Sequence, residues 1–508
     1  MKKINIIFIF SLFFIIQGCT NLEEKILDGV VPEEGGGNVD VDGLLSDLFR
    51  TLQVFQTQEN VWCLQEHMSD EVVGPTRGTD WDDNGIWRVL HDHTLDAEHE
   101  FNRTSFNALS RANYLATNIL QYSPSPEQEA QARFIRAFYV HHINDLWGQT
   151  PMRQPGEDVA STDPTVMGSS EASAFVISEV EGIMSTLPDS GPAYTVTKNA
   201  ARALLAKAYL NKPVYESSDR INFDFSAADM NKVIEMCDAI EASGQYSLSA
   251  DYYDNFRPNN DAVSTELIWT SQNIAGSDAG NVRSRWFCTL HYNQNPSGWN
   301  GFCTIADFYD KFNDMGDVRR SANPPDLEAA SGLKAGFLEG QQYNASGDAL
   351  EDRKGNPLAY TKDVSYFETG DNLETTGIRV IKYIPDYVSG DLVDNDYVFY
   401  RFADIRLMKA EAIARGGSGS ESPADIIDEI RTTRGAAANG DGSLDAILDE
   451  RGFELYWEGH RRQDLIRFGK FLEPWTDKPQ SPPGAVLCPI PSIELSASPN
   501  LQQNPGYN

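Results

Sequence analysis

The chain is short of cysteine and of positive charge, and each shortage closes off a class of function. Six cysteines occur in 508 residues, none in a C-x-x-C spacing, which argues against a zinc ribbon. Lysine and arginine number 41 against 75 aspartates and glutamates, a net charge of −34. Nucleic-acid affinity comes from neutralising phosphates with Lys and Arg, so this balance argues against a nucleic-acid partner. It argues equally against broad adhesion to anionic lipid, although a single basic pocket is untouched by the total. Catalytic signatures are missing too: there is no H-E-x-x-H, no G-x-S-x-G and no G-x-x-x-x-G-K-[ST]. Glycosidase carboxylates carry no spacing rule in sequence, so this absence leaves no catalytic residue to nominate without excluding a glycoside hydrolase.

What is present starts with Lys2 and Lys3, followed by an apolar run from Ile4 to Ile16 interrupted only by Asn5 and Ser11. The run is short of the about 20 residues a spanning helix needs, and has the pattern of a secretory signal over residues 1–18. It ends in Ile16-Gln17-Gly18-Cys19, which resembles the lipobox of bacterial lipoproteins. Gly18 is the small residue before the cut, and Cys19 is the thiol expected to accept lipid. Residues 19–40 are charged and glycine-rich, the composition of a flexible tether. No later apolar run is long enough to cross a bilayer. Among the other cysteines, Cys288 and Cys303 are the closest pair, to be either a staple or buried free thiols.

From residue 41 onward, helical periodicity dominates, giving a mainly α scaffold of tetratricopeptide-like helix pairs over 41–247 and 398–508. The spacing predicts helices over 42–58, 101–121, 127–146, 171–187, 197–210, 225–243, 400–415, 422–434 and 444–471. Ser123-Pro124-Ser125-Pro126 separates two of them, with Pro126 suited to a first helical position. Residues 248–397 turn to Gly, Asn, Asp, Pro and aromatics, a loop-rich region with short strands expected at 266–271 and 379–383. Loops on a rigid scaffold are where binding usually sits.

Several stretches together resemble the SusD/RagB family of outer-membrane lipoproteins, which capture nutrients, mostly glycans, in Bacteroidetes. They are Phe134-Ile135-Arg136-Ala137-Phe138-Tyr139 with Asp145-Leu146-Trp147-Gly148 and Pro151, and Asn199 to Ala206. Near the end come Glu450-Arg451 through Glu458-Gly459-His460-Arg461-Arg462 to Arg467, and Pro489-Ile490-Pro491 through Asn504-Pro505-Gly506-Tyr507. The charges of the Glu450–Arg462 block stand at spacings that suit ion pairs within and between helices, in preference to a Glu454/Glu458 catalytic dyad. The resemblance implies a glycan-binding lipoprotein without enzymatic activity or cofactor. It would hand its ligand to a SusC-like TonB-dependent transporter, anchored by Cys19 to the outer membrane and facing the medium. Within the same resemblance a RagB-type peptide nutrient is the alternative. A glycoside hydrolase or a pure protein scaffold are rivals from other classes.

The resemblance also implies a site in two regions, and there aromatic rings lie among polar groups. One region offers Arg77, Asp80, Trp81, Asp83 and Trp87; the other offers Trp286, His291, Tyr292, Asn293 and Trp299. Sugars present apolar C–H faces ringed by hydroxyls, so a flat ring beside Asp, Asn, Arg or His meets both. His91-Asp92-His93 has the look of a zinc pair but lacks a third ligand and suits a short solvated strand. The acidic loops at 80–83 and 391–396 do not follow EF-hand spacing, and no metal is assigned.

Overall fold

Helix caps written into the sequence set where the scaffold begins and turns. The computed structural model describes residues 39–507, so Cys19, the signal and nearly all of the tether lie outside the described residues. Helix α1 (Val41–Arg50) tightens into a 3-10 turn over Thr51–Phe55, ending short of the predicted residue 58. Helices α2 (Glu100–Ile119) and α3 (Pro126–Trp147) form the first antiparallel pair. Ser125 caps α3 in a reciprocal box with Gln128, Pro126 opens the helix, and Gly148 closes it in the left-handed conformation at φ 69°.

Helices α4 (Ser169–Ile183), α5 (Lys198–Glu216) and α6 (Ala227–Ala242) continue the array, each packed on its predecessor. In α5 the buried Ala200, Ala201, Ala203, Ala206 and Ala208 let neighbouring axes approach. The chain then leaves the stack for the loop-rich region. It returns through α7 (Phe402–Ala414), which seats on α6, followed by α8 (Pro423–Thr433) and α9 (Leu444–Leu455), both packed on α7. The array therefore resumes where it was interrupted.

The interruption is anchored by a short sheet. Strand β1 (Leu267–Ser271) pairs antiparallel with β2 (Tyr397–Arg401), so the two ends of the loop-rich region are stitched together. Inside it, Ala335–Leu338 is the middle of three strands, flanked by Ser321–Ala322 and Arg379–Ile381. Among the described residues no helix is long and apolar enough to cross a membrane.

The predicted helix over 444–471 is broken, and the reason is electrostatic. After α9 the chain turns out at Trp457 (φ 62°) and Gly459 (φ 84°) before α10 (Arg461–Arg467). The freed carbonyls of Glu454 and Tyr456 accept hydrogen bonds from buried Lys382, at 3.0 and 2.7 Å. The Trp457 and Gly459 amides donate to the buried carboxylates Glu71 and Glu66. Around the break, Glu454 accepts from Arg319, Arg401 and Arg434 at 2.9, 2.6 and 2.8 Å. Burial pushes its carboxyl up, but those three guanidinium groups outweigh it and hold the group well below the usual range. Glu458 is likewise taken, by Lys382 and Arg401. This block is a buried ionic lock rather than a catalytic dyad.

One open alternative is decided and one expectation is corrected. Of the two readings for Cys288 and Cys303, the structure has buried free thiols; Cys303 turns toward Arg77 and the Val73 carbonyl. His91 and His93 lie buried, not on a solvated strand: His91 bonds the Thr476 carbonyl, and His93 the Met68 carbonyl and Ser481. Among the described residues no cluster of His, Cys, Asp or Glu is placed to hold a metal.

Candidate functional site

Backbone pairing brings together two segments more than 200 positions apart. The Val73 amide donates to the Cys303 carbonyl at 2.8 Å, and the Cys303 amide donates back at 3.0 Å. Buried Arg77 then fastens a third segment, donating to the carbonyls of Leu373 (2.6 Å) and Thr376 (2.9 Å) and to the Thr376 hydroxyl. On this base, Asp80, Trp81, Asp83 and Trp87 of the first loop meet Tyr292 and Trp299 of the second around an open cleft of about 370 Å³.

The rings hold one another in place. The Trp81 indole nitrogen donates to the Trp299 carbonyl at 2.9 Å, and its ring packs 5.0 Å from Phe302 and 5.8 Å from Trp87. Trp81 itself has φ 59°, in the left-handed region that a non-glycine residue adopts at a cost. Gly301 makes the room: a Cβ there would fall 2.2 Å from the Trp81 ring. Trp299 leaves 52% of its surface exposed while its ring rests on Phe287 at 4.6 Å. Trp87 is the floor, buried, with its indole nitrogen donating to Asp83 at 3.0 Å.

Tyr292 is positioned by charge. Its hydroxyl donates to Asp80 at 3.2 Å, and the Arg353 guanidinium lies 3.9 Å from its ring centre. Arg353 is fixed by Glu374 at 2.6 Å and reaches Asp80 at 3.4 Å. On the other oxygen of Glu374 sits His291 at 2.8 Å, whose Nδ1 accepts from the Asn293 amide. Burial lowers the pKa of His291 although Glu374 opposes it, so the ring is neutral near pH 7.

Not every predicted residue reaches the cleft. Trp286 is buried in the core, and Arg77 is spent on carbonyls beneath the site. His291 is inside, acting through Glu374 and Arg353, and Asn293 lines a separate depression beside Asn344. Conversely, Gln58, Glu59 and Arg353 were missed. Gln58 and Glu59 follow α1, far from both aromatic regions in sequence, and enter only because the chain after the 3-10 turn runs past the cleft. Burial, with Glu100 and Asp83 nearby, raises the pKa of Glu59. The one sequence signal for Arg353 is its place in a charged turn, Glu351-Asp352-Arg353-Lys354-Gly355.

A stack of helix pairs carrying an open aromatic cleft on its loops defines a ligand-binding protein of helical-repeat type. The family model described as the SusD family matches residues 265–507. The starch-binding protein SusD of Bacteroides thetaiotaomicron is 25% identical over 429 residues, covering 75% of this chain and 73% of that protein. A solved SusD superfamily protein from Parabacteroides distasonis superposes with a TM-score of 0.73 at 19% identity, over 92% of this chain and 98% of the other. A structure described as a laminarin-binding SusD-like protein gives 0.69 at 19% identity, over 92% and 99%. The family-model match over the C-terminal part of the chain and these relatives together support a SusD/RagB family protein. SusD-like proteins are binding proteins and not enzymes.

Proposed function

We propose that this chain captures a glycan at the Trp81–Trp299–Tyr292 cleft and delivers it to a SusC-like TonB-dependent transporter. The observation that carries the reading is the cleft itself: three accessible rings, preset by neighbours, beside Asp80, Asp83 and Glu59 as hydroxyl acceptors. Rings supply the stacking face for C–H groups, and the carboxylates read the hydroxyl rim. Starch and laminarin binding among the relatives supports the same ligand class. Affinity is expected to be modest, because few rings must offset the ordering of a flexible chain.

In this reading lipid on Cys19 holds the protein to the outer membrane, facing the medium, with residues 19–40 as tether. Cys19→Ala should move the protein from the membrane to the soluble fraction. The ligand test is affinity electrophoresis on a panel of polysaccharides. Trp81→Ala with Trp299→Ala should abolish retardation, each single change costing about 1–2 kcal/mol, roughly tenfold in affinity. Unchanged binding by the double variant would move the site elsewhere. Release of reducing ends from the bound glycan would replace capture with hydrolysis, and binding of peptides alone would favour the RagB-type alternative.

A further inference from the structure

We infer that the cleft is selective for uncharged glycans and rejects carboxylated and sulfated ones, an inference that rests on the reading above. In sequence the two site regions carry or adjoin three arginines, Arg77, Arg283 and Arg285, enough to suggest an anion site. The fold removes all three. Arg77 is buried beneath the cleft, and its donors go to the carbonyls of Leu373, Thr376 and Gly301 and to the Thr376 hydroxyl. Arg285 is buried over the Trp62 ring at 4.0 Å, with a guanidinium nitrogen on the Phe55 carbonyl. Arg283 is paired with Asp391 and does not line the cleft.

Among the described residues lining the cleft none is basic, whereas Glu59, Asp80 and Asp83 are acidic. One cation approaches through Tyr292 and Asp80, and it is already committed. Arg353 is bound by Glu374 and Asp80 while its face covers the tyrosine ring. An incoming uronate or sulfate would meet three carboxylates at the rim and no free cation. Each like-charge contact at this rim opposes binding, the more so at low salt, where screening is weakest. An uncharged sugar meets the same oxygens as hydroxyl acceptors.

The test uses the purified chain on two panels by affinity electrophoresis and calorimetry at low salt. The neutral panel is laminarin, amylopectin, galactomannan and xyloglucan; the anionic one is alginate, polygalacturonate and carrageenan. At least one neutral polymer should bind and no anionic one should. The carboxymethyl derivative of the neutral binder should bind at least about tenfold more weakly than its parent, the gap narrowing as salt screens the cleft. Glu59→Gln combined with Asp83→Asn should narrow it also, a shift that loss of fold would not produce. An anionic polymer that binds as tightly as any neutral one would overturn the charge selectivity and leave glycan capture standing. No binding from either panel would overturn both.

Discussion

At the scale of single residues, the site depends as much on what is small as on what is large. Trp81 keeps its pose only because residue 301 has no side chain, since a Cβ there would overlap the ring. Gly301→Ala should therefore displace the indole and weaken ligand binding to the level of Trp81→Ala. Its thermal midpoint should fall by no more than a few degrees, because Trp81 is only half-buried. Paired calorimetry and thermal melts on the two variants decide it. Nothing in the sequence around Gly301 announces this, because the clash is with a residue 220 positions away. The cleft's tryptophans were legible as rings in polar loops, but exposure was not. Trp286, between Arg285 and Phe287, lies on a short buried helix, whereas Trp299, between Gly298 and Asn300, lies on an exposed turn.

At the scale of elements, ends were easier to read than interruptions. Ser125-Pro126 and Ser422-Pro423 are cap signals, and both helices begin where those residues put them. The Leu444–Phe471 stretch carries helical periodicity throughout, so its break is invisible without the partners that fill it. Lys382, from the loop-rich region, supplies the donor for two carbonyls and pairs with Glu458 at 2.6 Å. Lys382→Met should remove that donor and leave Glu458 with Arg401 alone. We expect a loss of about 3–5 kcal/mol by urea denaturation, the range for breaking a buried ion pair. A loss below 1 kcal/mol would mean that Arg401 suffices.

At the scale of the whole molecule, the eight histidines act together. His67, His91, His93, His99, His141, His142, His291 and His460 all have pKa values lowered chiefly by burial, His141 to about 4 and His460 to about 3. The unfolded chain titrates them near 6.5, so it binds more protons than the folded chain below that pH. Their contribution is fully present above about pH 6.5 and is lost as pH falls through the folded values, at up to about 1.4 kcal/mol per pH unit for each. Carboxyl groups raised by burial, such as Asp396 at about 7, oppose this over part of the range, being most favourable when protonated. With eight histidines, the net expectation is a thermal midpoint that declines from pH 7 to pH 4. His142 packs its ring against Phe55 and Phe138, and neither ring nitrogen has a protein hydrogen-bond partner. His142→Phe should flatten the decline, and a melting series over that range measures it.

The ionic lock also works as a check on chain completeness. Carboxylates that emerge early wait for cations that emerge late: Asp70 for Arg461, Asp145 for Arg462, and Glu266 for Arg401 and Arg434. A ribosome that stops before residue 461 leaves Asp70 and Asp145 without their arginines at the centre of the fold. The stacked helices of such a fragment can form locally, but they cannot close around an unpaired charge. Truncated chains should thus present themselves to proteases as open, and only a chain translated through its last helices can shut.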